Sequence, residues 1–228
     1  AKPFRGQAAM ALIGHETQRF VAYPISQTDK KTGLATINWI AELTQDPAAG
    51  WRKEDWNRGA DRQDFAPMFA DWSFDWIDIP DLISRADEIY EYPMVDRDPV
   101  STWLDGAMVL MGDAAHATYP VGSSGASQAI IDARVLGANF LKHGVGPAAL
   151  QAFESDVLPK ANAITLANRG SGPDAVLQMI EDRCGGQFDR IEDVASHEEL
   201  SAHAAAYKAK AGFDIAQLNA APPILSAL

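Results

Sequence analysis

The stretch that decides the fold is Val109–Ala133, VLMGDAAHATYPVGSSGASQAIIDA. An apolar run ends in Gly112-Asp113, a loop of small residues follows, and helical spacing begins near Gly125. The run AMVLM (107–111) reads as a short strand buried on both faces. Beyond the loop, Ala126, Ala129, Ile130, Ala133, Gly137, Phe140 and Leu141 recur at three- and four-residue intervals, and Gly144 supplies a stop. Strand, loop and helix in this order put Asp113 at the carboxyl end of a strand, where open α/β sheets bind their ligands.

Two readings of Asp113 stand open: a carboxylate there accepts hydrogen bonds from sugar or polyol hydroxyls, or it caps the next turn through an Asx bond. In PVGSSGAS (120–127), Pro120 fixes one backbone angle, while Gly122 and Gly125 permit close approaches that a side chain blocks. The first amides of a helix starting near Gly125 lack intrahelical partners, and the helix dipole favours negative charge there. That makes an anion cradle. The plain alternative is a strand–loop–helix joint capped by Ser124 or Ser127. No Lys-Ser/Thr follows the glycines, which excludes a Walker-type phosphate loop.

GSSGA (122–126) also imitates the nucleophile elbow of serine hydrolases, with Ser124 as nucleophile. Asp174 or Asp182 and then His197 or His203 follow in the hydrolase order, but Ala126 replaces the last Gly and the loop lies well beyond the strand. His116 reads as a structural histidine, since nothing in the sequence pairs it with a second titrating group. His15-Glu16 and His197-Glu198-Glu199 lack the ligand spacing that zinc needs, so no metal site is expected.

Upstream, AMALI (9–13) and RFVAYPI (19–25) flank a polar GHETQ turn, LATINWI (34–40) makes a third strand, and EIYEYPMV (88–95) a later one. Between them Trp51, Trp56, Phe65, Phe69, Trp72 and Trp76 read as core residues of short helices. Downstream, a helix from Pro147 to Asn168 begins with Pro, as helices tolerate, but carries Pro159 inside, where a break or kink is expected. Residues 169–174 form a loop, and 175–183, 197–211 and 214–219 make shorter helices. The formal charge of −12 argues against nucleic acid and anionic membrane partners. No apolar run approaches the ~20 residues of a membrane span. The one cysteine, Cys184, excludes an internal disulfide and fits a reducing cytoplasm.

GDAAHATYPVGSSGASQAIIDA resembles the second flavin motif of the FAD-dependent aromatic-ring monooxygenases, the class of para-hydroxybenzoate and salicylate hydroxylases. Gly112–His116, Pro120, Gly122, Gly125 and Asp132-Ala133 carry the match, with Asp96-Arg97, Pro99, Trp103 and Gly106 on the approach. ANRGSGPD and the helical tail look most like the phenazine-hydroxylase branch. The resemblance implies that Asp113 holds the ribityl hydroxyls of FAD, with Gly112 and Gly122 also at the cofactor. It sets Pro120 against the flavin ring and Gly125 and Ala126 at the flavin's N1–O2 edge. Ser127 stands where the family has Asn, a shorter donor. The family uses NADH or NADPH and O2 to hydroxylate a small aromatic molecule. Phe20, Ala22, Tyr23, Asn38 and Tyr92 are the implied substrate-pocket residues. Arg97 is the implied anchor between substrate sheet and flavin motif, or else a surface ion pair with Asp96 or Asp98.

The expected class is α+β: an antiparallel or mixed substrate sheet over 1–98, the C-terminal part of an FAD-binding α/β domain over 99–170, and a helical extension over 171–228. The family's Gly-x-Gly-x-x-Gly strand–helix unit is missing from these residues; GSGPDA (170–175) follows a helix and contains Pro173. The chain is therefore expected to need a further N-terminal FAD-binding segment, to bind FAD weakly or not at all alone, and not to turn over. The competing expectation is a non-catalytic relative that binds a small ligand or a partner.

Overall fold

The computed structural model describes residues 9–46, 48, 55–92, 94–120, 124–169, 174–211 and 215–225. The chain divides into two compact units, 1–93 and 94–228. Trp51 and Gly122 lie outside the described residues.

The first unit is an antiparallel meander of β1 (Ala11–Gly14), β2 (Gln18–Pro24) and β3 (Ile37–Leu43). The expected hairpin forms, and Gly14 makes it possible. Its φ is +104°, and a Cβ there would stand 2.2 Å from the Gln18 carbonyl. Ala11 pairs with Ala22, Ile13 with Phe20, Phe20 with Ala41 and Ala22 with Trp39. Period-two alternation therefore puts these side chains on one face. That face is covered by α1 (Arg62–Phe65), the 3-10 turn after it, the hairpin β4 (Ser73–Phe74) and β5 (Ile77–Asp78), and α2 (Ile79–Ser84). Phe20 stacks on Trp39 at 5.6 Å and meets Phe69 edge-on at 5.8 Å. Asp61 and Asp78 cap the two helices through their side chains. Phe65, Phe69, Trp72 and Trp76 join this core, whereas Trp56 is exposed and leans on Tyr92.

The strand expected over 88–95 is reduced to one bridge, Tyr90 with Gly59. Pro93 follows within three residues and has no N–H to extend a ladder.

In the second unit, β6 (Leu104–Asp105) and β7 (Met108–Val109) form a tight hairpin over Gly106. The run 107–111 is not buried on both faces. Val109 and Met111 turn toward the helical core, while Met108 and Leu110 are exposed. A single turn, α3 (Asp113–His116), leads to the loop before α4 (Gly125–His143). Gly144 ends α4 at φ +77°, and α5 (Pro147–Asn168) returns against it. Trp103, Phe153, Val157 and Ala161 form the core, flanked by Val135, Leu136 and Leu158. Then come α6 (Ala175–Cys184), ended by left-handed Gly185, α7 (His197–Ala211), which packs on α5, and α8 (Ile215–Ala220).

Of the break or kink expected at Pro159, the break does not occur, and α5 runs through it. Pro159 sits on the exposed side, where a carbonyl that loses its donor is open to solvent, while Phe153, Val157 and Ala161 hold the inner side. The apolar stripe of α4 is not its packed side. Ile130 and Leu141 are about 60% exposed, and the buried residues are Asp132 and Asn139, with Val135 and Leu136 beside them. Asn139 donates to the Val135 carbonyl and to Asp156 Oδ2 on α5, both at 3.1 Å.

Gly137 lies in the interior of α4, and a Cβ there would meet only Leu225 at 3.8 Å, an ordinary contact. Gly137→Ala is expected to raise stability by about 1 kcal/mol through helix propensity, read by denaturant unfolding. A destabilised variant would show that α4 needs that space.

Candidate functional site

The site grows from the end of β7. Gly112 has φ +59° and ψ −145°, a conformation that side chains resist, and a Cβ there would stand 3.5 Å from Ala129 Cβ. Its N–H donates to Asp132 Oδ2 at 2.8 Å, and its carbonyl accepts from Ala115 N and His116 N, both at 2.9 Å. The turn therefore closes on itself and is tied to α4.

His116 is buried, with Nε2 2.7 Å from the same Asp132 Oδ2 and its ring 5.5 Å from Trp103. The expectation that nothing pairs with His116 is thus corrected: its partner is sixteen residues downstream, on α4. Burial pushes the imidazole pKa down, but the hydrogen bond and charge of Asp132, with a smaller push from Asp113, raise it overall. Asp132 is fully buried, and its Oδ1 has no hydrogen-bond partner among the described residues.

Asp113, the first residue of α3, is exposed, and its carboxylate makes no hydrogen bond among the described residues. The Asx-cap reading is therefore not realised. The loop beyond is held at two points: Arg97 N donates to the Ala117 carbonyl at 2.9 Å, and Asn168 Nδ2 donates to Thr118 Oγ1 at 3.1 Å. Pro120 is exposed. Asp96 and Asp98 pair with Arg169 rather than with Arg97, so the surface-pair reading of Arg97 is corrected.

At the start of α4, Ser124 occupies the N-cap position but makes no side-chain cap. Its hydroxyl is buried and unpartnered among the described residues. The first helical bond from this residue runs from Gln128 N to the Ser124 carbonyl, 3.0 Å. The amides of Gly125, Ala126 and Ser127 thus have no acceptor within the helix. Neither Ser124 nor Ser127 caps the joint in the way the plain alternative requires. The hydrolase reading also loses its base: the Ser124 hydroxyl bonds neither His197, which lies beside Ser201, nor His203. Among the described residues, no group of three or more His, Cys, Asp or Glu could hold a metal. No helix among them is long and apolar enough to cross a membrane.

The expected substrate residues lie in the first unit. Phe20 and Ala22 are fully buried in its core. Tyr23 and Asn38 pair directly across β2 and β3 on the opposite face. Tyr92 is 59% exposed.

The second unit thus presents an exposed carboxylate on a glycine turn and a helix start whose first amides have no acceptor within the helix. Residues 9–167 match the family model described as FAD binding domain, and the chain belongs to that family. It is 42% identical over 164 residues to phenazine 1,6-dicarboxylic acid hydroxylase PhzS of Lysobacter antibioticus, covering 72% of this chain and 40% of that protein. It is 34% identical over 188 residues to 3-amino-4-hydroxybenzoate 2-monooxygenase PtnB3 of Streptomyces platensis, covering 80% and 43%. The chain thus spans less than half the length of these curated relatives. In fold it is similar to a salicylate hydroxylase solved as a substrate complex, with TM-score 0.55 and 19% identity over 90% of this chain and 49% of that one. The chain shares with that structure a mixed helix-and-sheet fold.

Below pH 6.5, His116→Ala leaves the Asp132 carboxylate buried without its charged partner and is expected to cost about 3–5 kcal/mol of unfolding free energy. The pH dependence has a fixed sign. Because the folded pKa of His116 is raised above 6.5, the charged pair contributes fully below that value and is lost as pH rises through the folded one. Denaturant unfolding of wild type across the histidine range should show this loss, and His116→Gln should flatten it.

Proposed function

We propose that this chain supplies the ribityl- and ring-facing part of the FAD site of a monooxygenase that uses NADH or NADPH and O2 to hydroxylate a small aromatic molecule. The observation that carries the reading is that, among the described residues, the Asp113 carboxylate and the buried Ser124 hydroxyl make no hydrogen bond and the start of α4 has no side-chain cap. Buried polar groups are ordinarily satisfied, so a buried hydroxyl left open beside free amides fits a ligand that completes it.

The residues fit FAD in chemical terms. Asp113 would accept hydrogen bonds from the ribityl hydroxyls. The amides of Gly125 and Ala126, backed by the dipole of α4, would stabilise negative charge on the flavin edge. Pro120 would give the ring a rigid wall, with Gly122 in the same loop and Ser127 as a nearby donor. FAD, when bound, supplies hydride acceptance from the nicotinamide and the reaction with O2, which no side chain here could perform. The protein's part is to orient the ring and keep water from it. For the substrate, the sheet face bearing Tyr23 and Asn38 is the better candidate, because Phe20 and Ala22 are committed to the core; Tyr92 remains an exposed aromatic for a planar ligand. The names of the relatives favour a phenazine-like or hydroxybenzoate-like ring. The AMP half of FAD would be held by a segment with the Gly-x-Gly-x-x-Gly unit, supplied in the same or another polypeptide. A reducing cytoplasm suits the lone thiol of Cys184.

The test is a titration of the purified chain with FAD, followed by flavin fluorescence and by amide NMR shifts, with Asp113→Ala alongside and circular dichroism as the check on folding. Weak, saturable binding is expected, with shifts at Gly125 and Ala126 and an affinity about tenfold lower in the variant, the worth of a hydrogen bond to a charged group. A folded wild type whose Gly125 and Ala126 amides ignore FAD would overturn the reading.

A further inference from the structure

Asp132 has no role in the flavin reading, yet it is a fully buried carboxylate about two turns into α4. An apolar side chain of that size would fill the place without desolvating a charge. A carboxylate oxygen does what an apolar group cannot: it accepts two donors at once. Oδ2 takes the Gly112 N–H at 2.8 Å and His116 Nε2 at 2.7 Å. These donors flank the Asp113–His116 turn, one on each end. Gly112 is bonded directly to Asp113, whose free carboxylate is one half of the cradle. The other half, the amides of Gly125, Ala126 and Ser127, starts the same helix that carries Asp132.

We propose that Asp132 is the positioning residue of the flavin site: through one oxygen it sets the spacing between the Asp113 carboxylate and the N-terminal amides of α4. The proposal rests on the flavin reading of the site. It explains why a turn that is already closed by its own backbone is also bonded to the helix. It also gives His116 a reason to be buried, since the ring holds the far end of the turn to the same oxygen. Three groups face that ring: Asp132 from α4, Asp113 from its own turn, and the uncharged Trp103 from the segment before β6.

The experiment is a pH titration by NMR of the isotope-labelled full chain, as wild type, Asp132→Asn and His116→Gln, with an FAD titration of each. In wild type, the Gly112 and Asp113 amides should move with the His116 ring, at one midpoint above the usual histidine value, and Gly125 and Ala126 should follow. Asp132→Asn should abolish the shared step and weaken FAD binding by about tenfold, the lower end of what supporting hydrogen bonds contribute at metal sites. His116→Gln keeps an amide donor toward Asp132, so it should retain most of the FAD affinity and lose the pH step. A folded Asp132→Asn with wild-type FAD affinity, or with a Gly112 amide that still tracks His116, overturns the proposal. Should Asp132→Asn fail to fold, His116→Gln decides: loss of the Gly112 pH step supports the clamp, and its persistence without the ring overturns it. A wild type that binds no FAD, yet shows all four amides moving with His116, removes the flavin reading and leaves the clamp standing.

Discussion

One oxygen, Asp132 Oδ2, ties the turn after β7 to α4 in the second unit. It accepts from Gly112, where strand becomes turn, and from His116, where turn becomes loop. A neutral acceptor in a low-dielectric interior would hold these donors more weakly, since bonds to a charged group are roughly twice as strong. The loop after the turn is then strung between fixed points, with Ala117 bonded to Arg97 and Thr118 to Asn168. Asn168 is the last residue of α5, so both long helices hold the segment that runs toward Pro120. A loop built this way is positioned by rigid elements, which is what a cofactor site requires.

Much of this was legible in the sequence, and the limit has a physical cause. The strand–turn–helix order around Gly112-Asp113 and Gly125 was readable because turn glycines and helical spacing are local signals. The meander of β1, β2 and β3 was readable for the same reason, through the GHETQ turn and alternating residues. The burial of α4 was not. Its apolar positions repeat at helical intervals, which identifies a helix without saying which side meets α5. The packed side carries Asp132 and Asn139, two polar residues that no hydrophobic count selects. The partnership of His116 with Asp132 is invisible for a related reason: it depends on α4 folding back across the turn, a tertiary fact. A usable signal did exist, since an acidic residue amid small and apolar helix positions asks for a buried donor.

The candidate substrate residues show the same division. Phe20, Ala22, Tyr23 and Asn38 looked equivalent in sequence. Register separates them, because directly paired residues share a face and neighbours along a strand do not. Phe20 and Ala22 fall with Trp39 and Phe69 in the core, and Tyr23 and Asn38 fall opposite.

The site also carries local costs that a purely structural joint would shed. Gly112 sits in a conformation that only glycine adopts easily, and among the described residues the buried Ser124 hydroxyl and Asp132 Oδ1 have no hydrogen-bond partner. Each unpaired polar atom of this kind costs about 1–3 kcal/mol. A helix start could satisfy its free amides with a serine rotamer, and Ser124 is in the position to do so but does not. Against these terms stands the packing of Trp103, Phe153, Val157 and Ala161, with Val135 and Leu136 of α4 and Met111 and Ala115 at the turn against it. The two parts meet at Trp103, which packs with Phe153 in the core and lies 5.5 Å from the His116 ring. The core can hold the helices rigid while the turn and the helix start stay unsatisfied, and an unsatisfied but rigid set of donors and one free carboxylate is what a polyol-bearing, electron-accepting ligand would complete.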